Sequence, residues 1–278
     1  MPLSLNTASR HRTVISTRIR NIVTGLPDVF RRWFTRFIVA TGYELVNIQK
    51  LYEFDGLHTI HNPRFKKSKR FHQARERGSQ ASLGDSRGDW RVHVGLWAAA
   101  AAARVEGDFV ECGVNAGFLS SAILRYLDWE NLGKTFYLVD TFSGPVLEQF
   151  SAEEIARGLQ QKVKEAIGAE NYVTDMERIR RNYQEWKRVE IVQGVVPDVL
   201  PWVLAHAIAF LHLDMNCAFP ETEALRFFWH RISTGGIILL DDYSYFGFDA
   251  QGDQMDRVAA ELGVEILALP TGQGMLIK

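Results

Sequence analysis

Residues 108–127 read DFVECGVNAGFLSSAILRYL, and the fold is inferred outward from this stretch. A short apolar run is followed by a glycine-containing turn and then by a segment of helical periodicity. Glycines let a backbone turn tightly and approach a ligand closely, and the start of a helix presents free N–H groups. The stretch predicts a strand, a ligand-binding turn at Glu111–Gly117 and a helix. A purely structural turn could carry the same glycines, so the turn alone does not establish a site.

The same alternation continues to the end of the chain. The runs KTFYLVD, VEIVQG, AIAFLHLD, GGIILLDDY, VEILALP and GQGMLIK predict six further strands, and PDVLPWVLA and FPETEALRFFWHRI are among the segments predicted as helices. Apolar runs of this kind suit strands buried on both faces of a mainly parallel sheet. Only a short Pro-Thr-Gly turn separates the last two strands, so they are expected to form an antiparallel hairpin. The predicted fold is α/β, a doubly wound, Rossmann-like seven-stranded sheet with an antiparallel last strand.

The chain divides into three predicted regions. Residues 1–45 form a basic extension, in which Phe30, Trp33 and Phe37 recur at helical spacing and indicate an amphipathic helix that stops near Gly42. Residues 46–88 lack periodicity and are interpreted as a linker or lid. Residues 89–278 form the α/β domain, with two polar helices expected in 151–186 and a helical lid over 145–186.

Composition restricts the class of protein. Hydrophobic residues make up 46% and charged residues 23% of the 278, which is typical of a soluble globular protein. Two cysteines, Cys112 and Cys217, are too few for a disulfide scaffold and suit a reducing, cytoplasmic compartment. No apolar run approaches the roughly 18 residues of a membrane span, and the start of the chain has no apolar core of a secretory signal.

Charge is distributed unevenly along the chain. Residues 1–78 contain 15 Lys and Arg against 5 Asp and Glu, a balance of +10, whereas residues 79–278 contain 17 against 28, a balance of −11. The basic extension could contact an anionic membrane surface or an acidic partner. It could equally pack on the acidic core of its own subunit or of a neighbouring one in a homo-oligomer. We expect no nucleic-acid partner.

A carboxylate at the end of the second core strand supports a nucleoside ligand. Asp140 ends the strand in YLVDTFSG, next to the glycine turn in the predicted sheet. Ligands of open α/β sheets bind at the carboxyl ends of the strands, and an acid there can accept both hydroxyls of a ribose. Asp140 could instead cap the next helix. The expected cofactor residues are Glu111, Gly113, Asn115, Gly117, Asp140, Thr141 and Ser143.

Three further carboxylates end the next two strands. Asp214 follows FLHL, and Asp241 and Asp242 follow IILL. Carboxylates that converge repel one another unless a cation lies between them. Oxygen ligands suit Mg²⁺ or another hard divalent cation. Asp214, Asp241 and Asp242 are therefore predicted to bind a metal, with Asp214 and Asp241 as catalytic residues and Asn216 as a further donor; helix capping remains an alternative for individual residues.

These segments resemble a known family. VECGVNAGFLSSAIL, YLVDTFSG, VQGVVPDVLP, FLHLDMN and GGIILLDDY are similar in order and spacing to the macrocin O-methyltransferase (TylF) family, over about residues 89–245. The resemblance implies a class I methyltransferase sheet, with S-adenosylmethionine held by Glu111, Gly113 and Asp140. It also implies Mg²⁺ at the three aspartates and a sugar hydroxyl as acceptor. The chain departs from the family after Asp214, where it reads DMNCAFPET in place of D-x-D-x-Y-x-x-T, so the resemblance does not identify the acceptor.

The favoured prediction is thus an S-adenosylmethionine-dependent O-methyltransferase that acts on a small-molecule or glycan acceptor with the help of a divalent metal. The metal would bind and acidify the acceptor hydroxyl. Two alternatives remain open: a metal-independent methyltransferase, and a non-catalytic scaffold that docks through its basic extension.

Overall fold

A computed structural model describes residues 27–40, 52–54, 56–83 and 88–278, which belong to two compact units divided after Asn62. The first unit contains helix α1 (Asp28–Ala40) and an antiparallel pair of short strands, β1 (Tyr52–Phe54) and β2 (Leu57–Thr59). Phe30, Trp33 and Phe37 follow one another along α1, with ring centroids 5.7 and 5.9 Å apart. The predicted amphipathic helix is confirmed over these residues.

The second unit is built on a seven-stranded sheet. In chain order its strands are β3 (Asp108–Cys112), β4 (Phe136–Asp140), β5 (Val189–Gln193), β6 (Ile208–Leu213), β7 (Ile232–Leu240), β8 (Leu267–Ala268) and β9 (Gly274–Ile277). Their order across the sheet is β5-β4-β3-β6-β7-β9-β8. The first five run parallel, and β9 is antiparallel to both β7 and β8. The predicted sheet and its antiparallel hairpin are confirmed, although β8 is only two residues long.

Helices cover both faces of this sheet. They are α2 (Lys69–Ala81), α3 (Asp89–Ala102), α4 (Phe118–Leu127), α5 (Ala152–Ala156), α6 (Leu159–Gly168), α7 (Met176–Tyr183), α8 (Ala218–Trp229) and α9 (Asp249–Leu262). The central strands are apolar on both faces, and every residue of β6 is buried. Two separate hydrophobic clusters form as a result, one on each face, with Phe109 and Phe210 in one and Val110 and Leu211 in the other.

Helix α2 lies inside the segment predicted as a linker or lid. Its buried residues are Phe71, Ala74, Gly78 and Ala81, which form one face against α4. Three of these four side chains are small, so the apolar period is faint among the charged residues of KRFHQARERGSQA. The sequence analysis did not identify this helix for this physical reason; the interpretation of residues 46–88 as a linker or lid and the division into three domains stay predictions.

Two smaller expectations also differ from the structure. Residues 151–186 contain three helices rather than two, because Ser151 begins α5 with a capping box to Glu154 and Asp175 separately caps α7. PDVLPWVLA forms only a single turn of 3₁₀ helix at Leu200–Trp202. Pro201 supplies no N–H and disfavours helical geometry at the residue before it, which prevents a longer helix.

Crossing a bilayer takes a long, apolar helix, and none of the helices described above meets that requirement.

The docking of α2 on α4 can be tested at Gly78. A Cβ at this position would lie 2.7 Å from the carbonyl oxygen of Phe118. We therefore expect Gly78→Ala to lower the free energy of unfolding by about 1–3 kcal/mol, the usual cost of overpacking. The control is Gly168→Ala in α6, where an added Cβ meets nothing within 4 Å. Thermal melting that shows the same stability for both variants would mean that α2 is not docked in solution.

Candidate functional site

A pocket opens at the carboxyl edge of the sheet. The ends of β3, β4, β5 and β6 form its wall, together with residues from 144–149 and Tyr172. Four of the predicted cofactor residues line this pocket: Gly113, Asn115, Asp140 and Thr141. The other three lie elsewhere, since Glu111 is buried within β3, Gly117 begins α4 and the exposed Ser143 is outside the lining.

The glycine turn is shaped by close packing. Gly113 has φ +92°, and a Cβ there would lie 1.9 Å from the carbonyl oxygen of Asp214. Gly117 has φ +86°, and its Cβ would lie 1.9 Å from the hydroxyl oxygen of Tyr183. Both positions therefore require glycine, because a left-handed backbone and a missing side chain are needed together. Gly113 brings the end of β3 against the end of β6, and so places the turn beside Asp214.

Asp140 holds the turn in place. Its carboxylate accepts hydrogen bonds from the backbone N–H groups of Val114 (2.7 Å), Asn115 (2.8 Å) and Phe142 (2.6 Å). Burial raises the pKa of Asp140 above its ordinary value, and the hydrogen bonds from Asn115, Phe142 and Val114 oppose that rise. The residue does not cap a helix; it joins the ends of β3 and β4. The Thr141 hydroxyl also lies 3.4 Å from Asp140 Oδ1, but it has a shorter bond, 2.7 Å, to the carbonyl oxygen of Gly144. Because a hydroxyl donates one hydrogen, about one acceptor position of the carboxylate is left for a ligand.

Asn115 connects the turn to the segment that precedes α7. Its amide nitrogen donates to the carbonyl oxygen of Asn171 (3.0 Å), and its amide oxygen accepts from the N–H of Val173 (2.9 Å). These two bonds hold Tyr172 in the pocket wall, where its hydroxyl donates to Asn216 Oδ1 (3.1 Å). Burial and the nearby Asp214 and Asp242 raise the pKa of Tyr172, so it stays a neutral donor.

A row of buried ionisable groups crosses the sheet behind the pocket. Glu111 of β3 lies beside His212 of β6, with Oε1 2.9 Å from Nδ1. His212 Nε2 has no hydrogen-bond partner among the residues that the structure describes, and it lies 3.8 Å from Asp241 Oδ1. Burial disfavours a charged imidazole, but Asp241 and Glu111 outweigh burial and raise the pKa of His212 to about 10. Glu111 therefore contacts an imidazolium rather than the pocket.

Asp241 and Asp242 are paired with a cation from a distant part of the chain. Arg91 Nη2 lies 2.6 Å from Asp241 Oδ2 and 3.1 Å from Asp242 Oδ1. Gln273 donates to the second oxygen of Asp241 at 3.0 Å. All three ionised side chains are buried. The sequence placed Asp241 and Asp242 correctly at one strand end, but it carried no signal that Arg91, 150 positions earlier, would meet them.

Asp214 completes the carboxylate group on the pocket side. The amide nitrogen of Asn216 lies 2.7 Å from Asp242 Oδ2 and 3.2 Å from Asp214 Oδ1, so it bridges the two carboxylates. Within the described ranges, His212, Asp214 and Asp241 form a group whose potential metal-ligand atoms all lie within 4.8 Å of one another. The structure thus brings Asp214 and Asp241 together as predicted and adds His212 to them.

Glu221 is a further buried acid at this edge that the sequence analysis did not identify. It accepts hydrogen bonds from the N–H of Met215 (2.8 Å) and from the amide of Gln251 (2.6 Å). Burial first, and the charges of Asp242 and Asp214 in addition, raise its pKa to about 8 against the opposing hydrogen bonds. Its position in the first turn of α8 gave no indication that its side chain turns inward.

Two curated relatives from Streptomyces are O-methyltransferases by name. The chain is 26% identical over 168 residues to an 8-demethyl-8-(2,3-dimethoxy-alpha-L-rhamnosyl)-tetracenomycin-C 4'-O-methyltransferase of Streptomyces olivaceus, covering 58% of this chain and 60% of the relative. It is 28% identical over 148 residues to a demethyldecarbamoylnovobiocin O-methyltransferase of Streptomyces niveus, covering 50% and 53%. The aligned part therefore spans between half and three fifths of each relative.

Solved structures share the fold. The O-methyltransferase NovP is similar with a TM-score of 0.59 at 18% identity, covering 90% of this chain and 98% of that one. The calicheamicin methyltransferase CalS11 is similar with a TM-score of 0.55 at 14% identity, covering 84% and 97%. At these identities the likeness shows the α/β fold alone.

The family model for macrocin O-methyltransferase (TylF) matches residues 45–259, which is most of the chain and includes the glycine turn, Asp140 and the three aspartates at the ends of β6 and β7. The protein belongs to the macrocin O-methyltransferase (TylF) family.

Proposed function

We propose that the protein is an S-adenosylmethionine-dependent O-methyltransferase whose acceptor is a hydroxyl of a sugar, in a glycosylated natural product or a polysaccharide. One observation carries the proposal: the pocket at the carboxyl edge of the sheet is bounded on one side by the turn that Asp140 holds and on the other by Asp214. A nucleoside cofactor and an acceptor hydroxyl can meet there. The curated relatives support the acceptor class, since one of them is named for methylation at the 4'-oxygen of a rhamnosyl compound.

The cofactor part of the proposal assigns a role to each predicted residue. Asp140 would accept a ribose hydroxyl with its remaining acceptor position, and Gly113, Asn115 and Thr141 would line the same part of the pocket. Glu111, Gly117 and Ser143 would act from outside the lining, by supporting the turn or its neighbours. The segment 145–186 is proposed as a lid, because Asn115 holds its residues 171–173 over the pocket.

The carboxylate edge is proposed to bind a divalent cation. The residues fit such an ion in two respects. A hydrogen-bond donor, the Asn216 amide, bridges Asp214 and Asp242, which marks a position that favours positive charge. Carboxylate oxygens of Asp214 and Asp241 also lie within 4.8 Å of each other, in a group that could hold one ion. Asp214, Asp241 and Asp242 would hold the ion, and Mg²⁺ or Mn²⁺ suits this set. Asn216, predicted as a further oxygen ligand, instead turns its amide nitrogen to the carboxylates and its oxygen to Tyr172.

When bound, such an ion lowers the pKa of a coordinated hydroxyl and orients it. The side chains of the protein have the remaining tasks. Asp214 faces the pocket and is proposed to position the acceptor hydroxyl, while Tyr172 and its backbone close the pocket against water. Both carboxylate oxygens of Asp241 accept hydrogen bonds, one from Arg91 and the other from Gln273. Asp241 is therefore proposed to set the charge and orientation of the neighbouring carboxylates rather than to contact the acceptor.

Two other readings make different claims about the same residues. In a metal-independent methyltransferase the three aspartates only shape the pocket, and EDTA leaves turnover unchanged. In a non-catalytic scaffold the cofactor is not bound at all. Cofactor affinity separates the scaffold from both enzymes, and the response to EDTA separates the two enzymes.

We also infer that the protein works in the cytoplasm and contacts the inner membrane surface through residues 1–45. Phe30, Trp33 and Phe37 are each more than half exposed on α1, and Arg32 and Arg36 are exposed beside them. Aromatic residues combined with arginines suit an anionic lipid surface. The charge balance of +10 over residues 1–78 supports this choice over an acidic protein surface of limited area.

Cofactor binding is tested first, with S-adenosylhomocysteine as the probe. We expect the intact protein to bind it, and Asp140→Asn to weaken binding by about 1.5–3 kcal/mol, the usual value of a hydrogen bond to a charged group. The amide keeps the size of the side chain but removes the charge that the backbone donors and the ribose share. Calorimetry provides the measurement, and exposed Asp198→Asn is the control. No binding by the intact protein would refute the methyltransferase proposal.

Metal binding is tested at Asp214. We expect Mn²⁺ to raise the melting temperature of the intact protein by mass action, and Asp214→Asn to reduce that shift because one charged ligand is lost. The same variant should still bind S-adenosylhomocysteine, since Asp140 and the glycine turn are unchanged. Melting curves with EDTA and with Mn²⁺ measure both effects, again with Asp198→Asn as the control. Identical curves for the intact protein under the two conditions would leave the metal-independent reading.

Membrane contact is tested by co-sedimentation with vesicles. The double variant Trp33→Ser, Phe37→Ser should bind anionic phosphatidylglycerol vesicles less tightly than the intact protein, because it loses the aromatic anchors of α1. Trp202→Ser is the matched control, since Trp202 is 69% exposed in the other unit. Equal binding by all three proteins, or equal binding to neutral phosphatidylcholine vesicles, would contradict the inference.

A further inference from the structure

Arg91 forms ion pairs with the two adjacent carboxylates at the end of β7, Asp241 and Asp242. It lies in the first turn of α3, and its Nη2 atom is 2.6 Å from Asp241 Oδ2, 2.8 Å from the backbone oxygen of Asp241 and 3.1 Å from Asp242 Oδ1. The guanidinium also lies over the ring of Tyr245, 4.7 Å from its centroid. Only 8% of Arg91 is exposed. One nitrogen of the side chain thus lies between two of the carboxylates that are proposed to hold the metal ion.

An ion that bound the same oxygens would be repelled by this guanidinium. A divalent cation binds carboxylate oxygens at roughly 2.0–2.6 Å. An ion on Asp241 Oδ2 or Asp242 Oδ1 would therefore lie within a few ångströms of Arg91 Nη2, in a buried setting where like charges repel strongly. Among the described residues, the imidazole of His212 and the amides of Asn216 and Gln273 also lie beside this carboxylate group, and the two amides carry no charge.

The geometry points to Arg91 as an internal counter-ion that competes with a divalent cation for Asp241 and Asp242 and thereby sets the metal affinity of the site. This inference rests on the metal site of the proposed function. It explains how buried Asp241 and Asp242 are compensated in a protein without metal. A metal ion on these carboxylates would accordingly be favoured as Arg91 moves away from the pair.

The competition is tested with Arg91→Met, which keeps the length of the side chain and removes its charge. In EDTA this variant should melt below the intact protein, because two buried carboxylates lose their counter-ion. Mn²⁺ should restore most of the loss, and its affinity, measured by calorimetry and by the electron paramagnetic resonance signal of free Mn²⁺, should rise by about tenfold or more. The affinity for S-adenosylhomocysteine should not change.

Two further variants make the result specific. Arg231→Met is the matched control. Arg231 is half-buried and lies over the ring of Phe227, as Arg91 lies over Tyr245, but it bonds a backbone carbonyl instead of a carboxylate. If the inference holds, the melting temperature of Arg231→Met should respond to Mn²⁺ no more than that of the intact protein. Arg91→Lys keeps a charge without the planar fork, so its Mn²⁺ affinity should lie between those of the intact protein and Arg91→Met.

Different failures have different meanings. If Arg91→Met is destabilised, and Mn²⁺ neither restores its stability nor binds it more tightly, Arg91 only forms a structural ion pair and the inference is overturned. The proposed metal site is then still tested by the Asp214→Asn experiment. If no variant binds Mn²⁺, both the inference and the metal site are overturned, and S-adenosylhomocysteine binding still tests the methyltransferase proposal. If Arg91→Met does not fold in EDTA, recovery on refolding with Mn²⁺ supports the inference, and an unchanged Mn²⁺ affinity of Arg91→Lys overturns it.

Discussion

The compensation of charge inside the sheet is the constraint on which the site depends. Glu111, His212 and Asp241 lie on three neighbouring strands, β3, β6 and β7, and Arg91 reaches them from α3. An isolated charge in this setting would cost far more than the net stability of a domain, so each group needs its partner. The row therefore fixes how α3 sits on the sheet, and it determines which carboxylate oxygens remain available at the pocket.

On the pocket side of the same edge, the donors identified among the described residues are neutral. Asp140 accepts from backbone N–H groups, and Asn216 provides an amide between Asp214 and Asp242. Hydrogen bonds of this kind orient a carboxylate. Asp214 and Asp140 line the pocket, while Arg91 lies on Asp241 behind it. A sulfonium cofactor and a metal ion are both cations, and this is the side on which they would be attracted.

Much of this arrangement could be predicted because it follows from local patterns. The apolar runs identified every strand of the large sheet, and the carboxylates that end three of these runs lie at the edge where the pocket opens. What could not be predicted depends on contacts between distant positions. Glu111 was expected to face a ligand, but its strand partner is a histidine, and residues opposite each other across a sheet cannot be read from either strand alone. Helix α2 was missed because its buried face consists largely of Ala and Gly, whose burial reflects the space beside α4 more than their own hydrophobicity.

Arg91 shows why the chemistry of such a site is not fixed by its carboxylates alone. The same two aspartates can be neutralised by a guanidinium of the protein or by an ion from solution, and the choice depends on which costs less to bring there. The guanidinium belongs to the protein chain and is already partly desolvated, so it loses little conformational entropy when it pairs with the aspartates. A divalent ion must lose bound water, but it carries twice the charge. A protein with a resident counter-ion can therefore fold before any metal arrives. Under the proposed competition, a metal that bound would gain only the difference between the two cations. Its occupancy would then be sensitive to metal concentration and to ligands that attract the ion from the pocket side, such as the proposed acceptor hydroxyl.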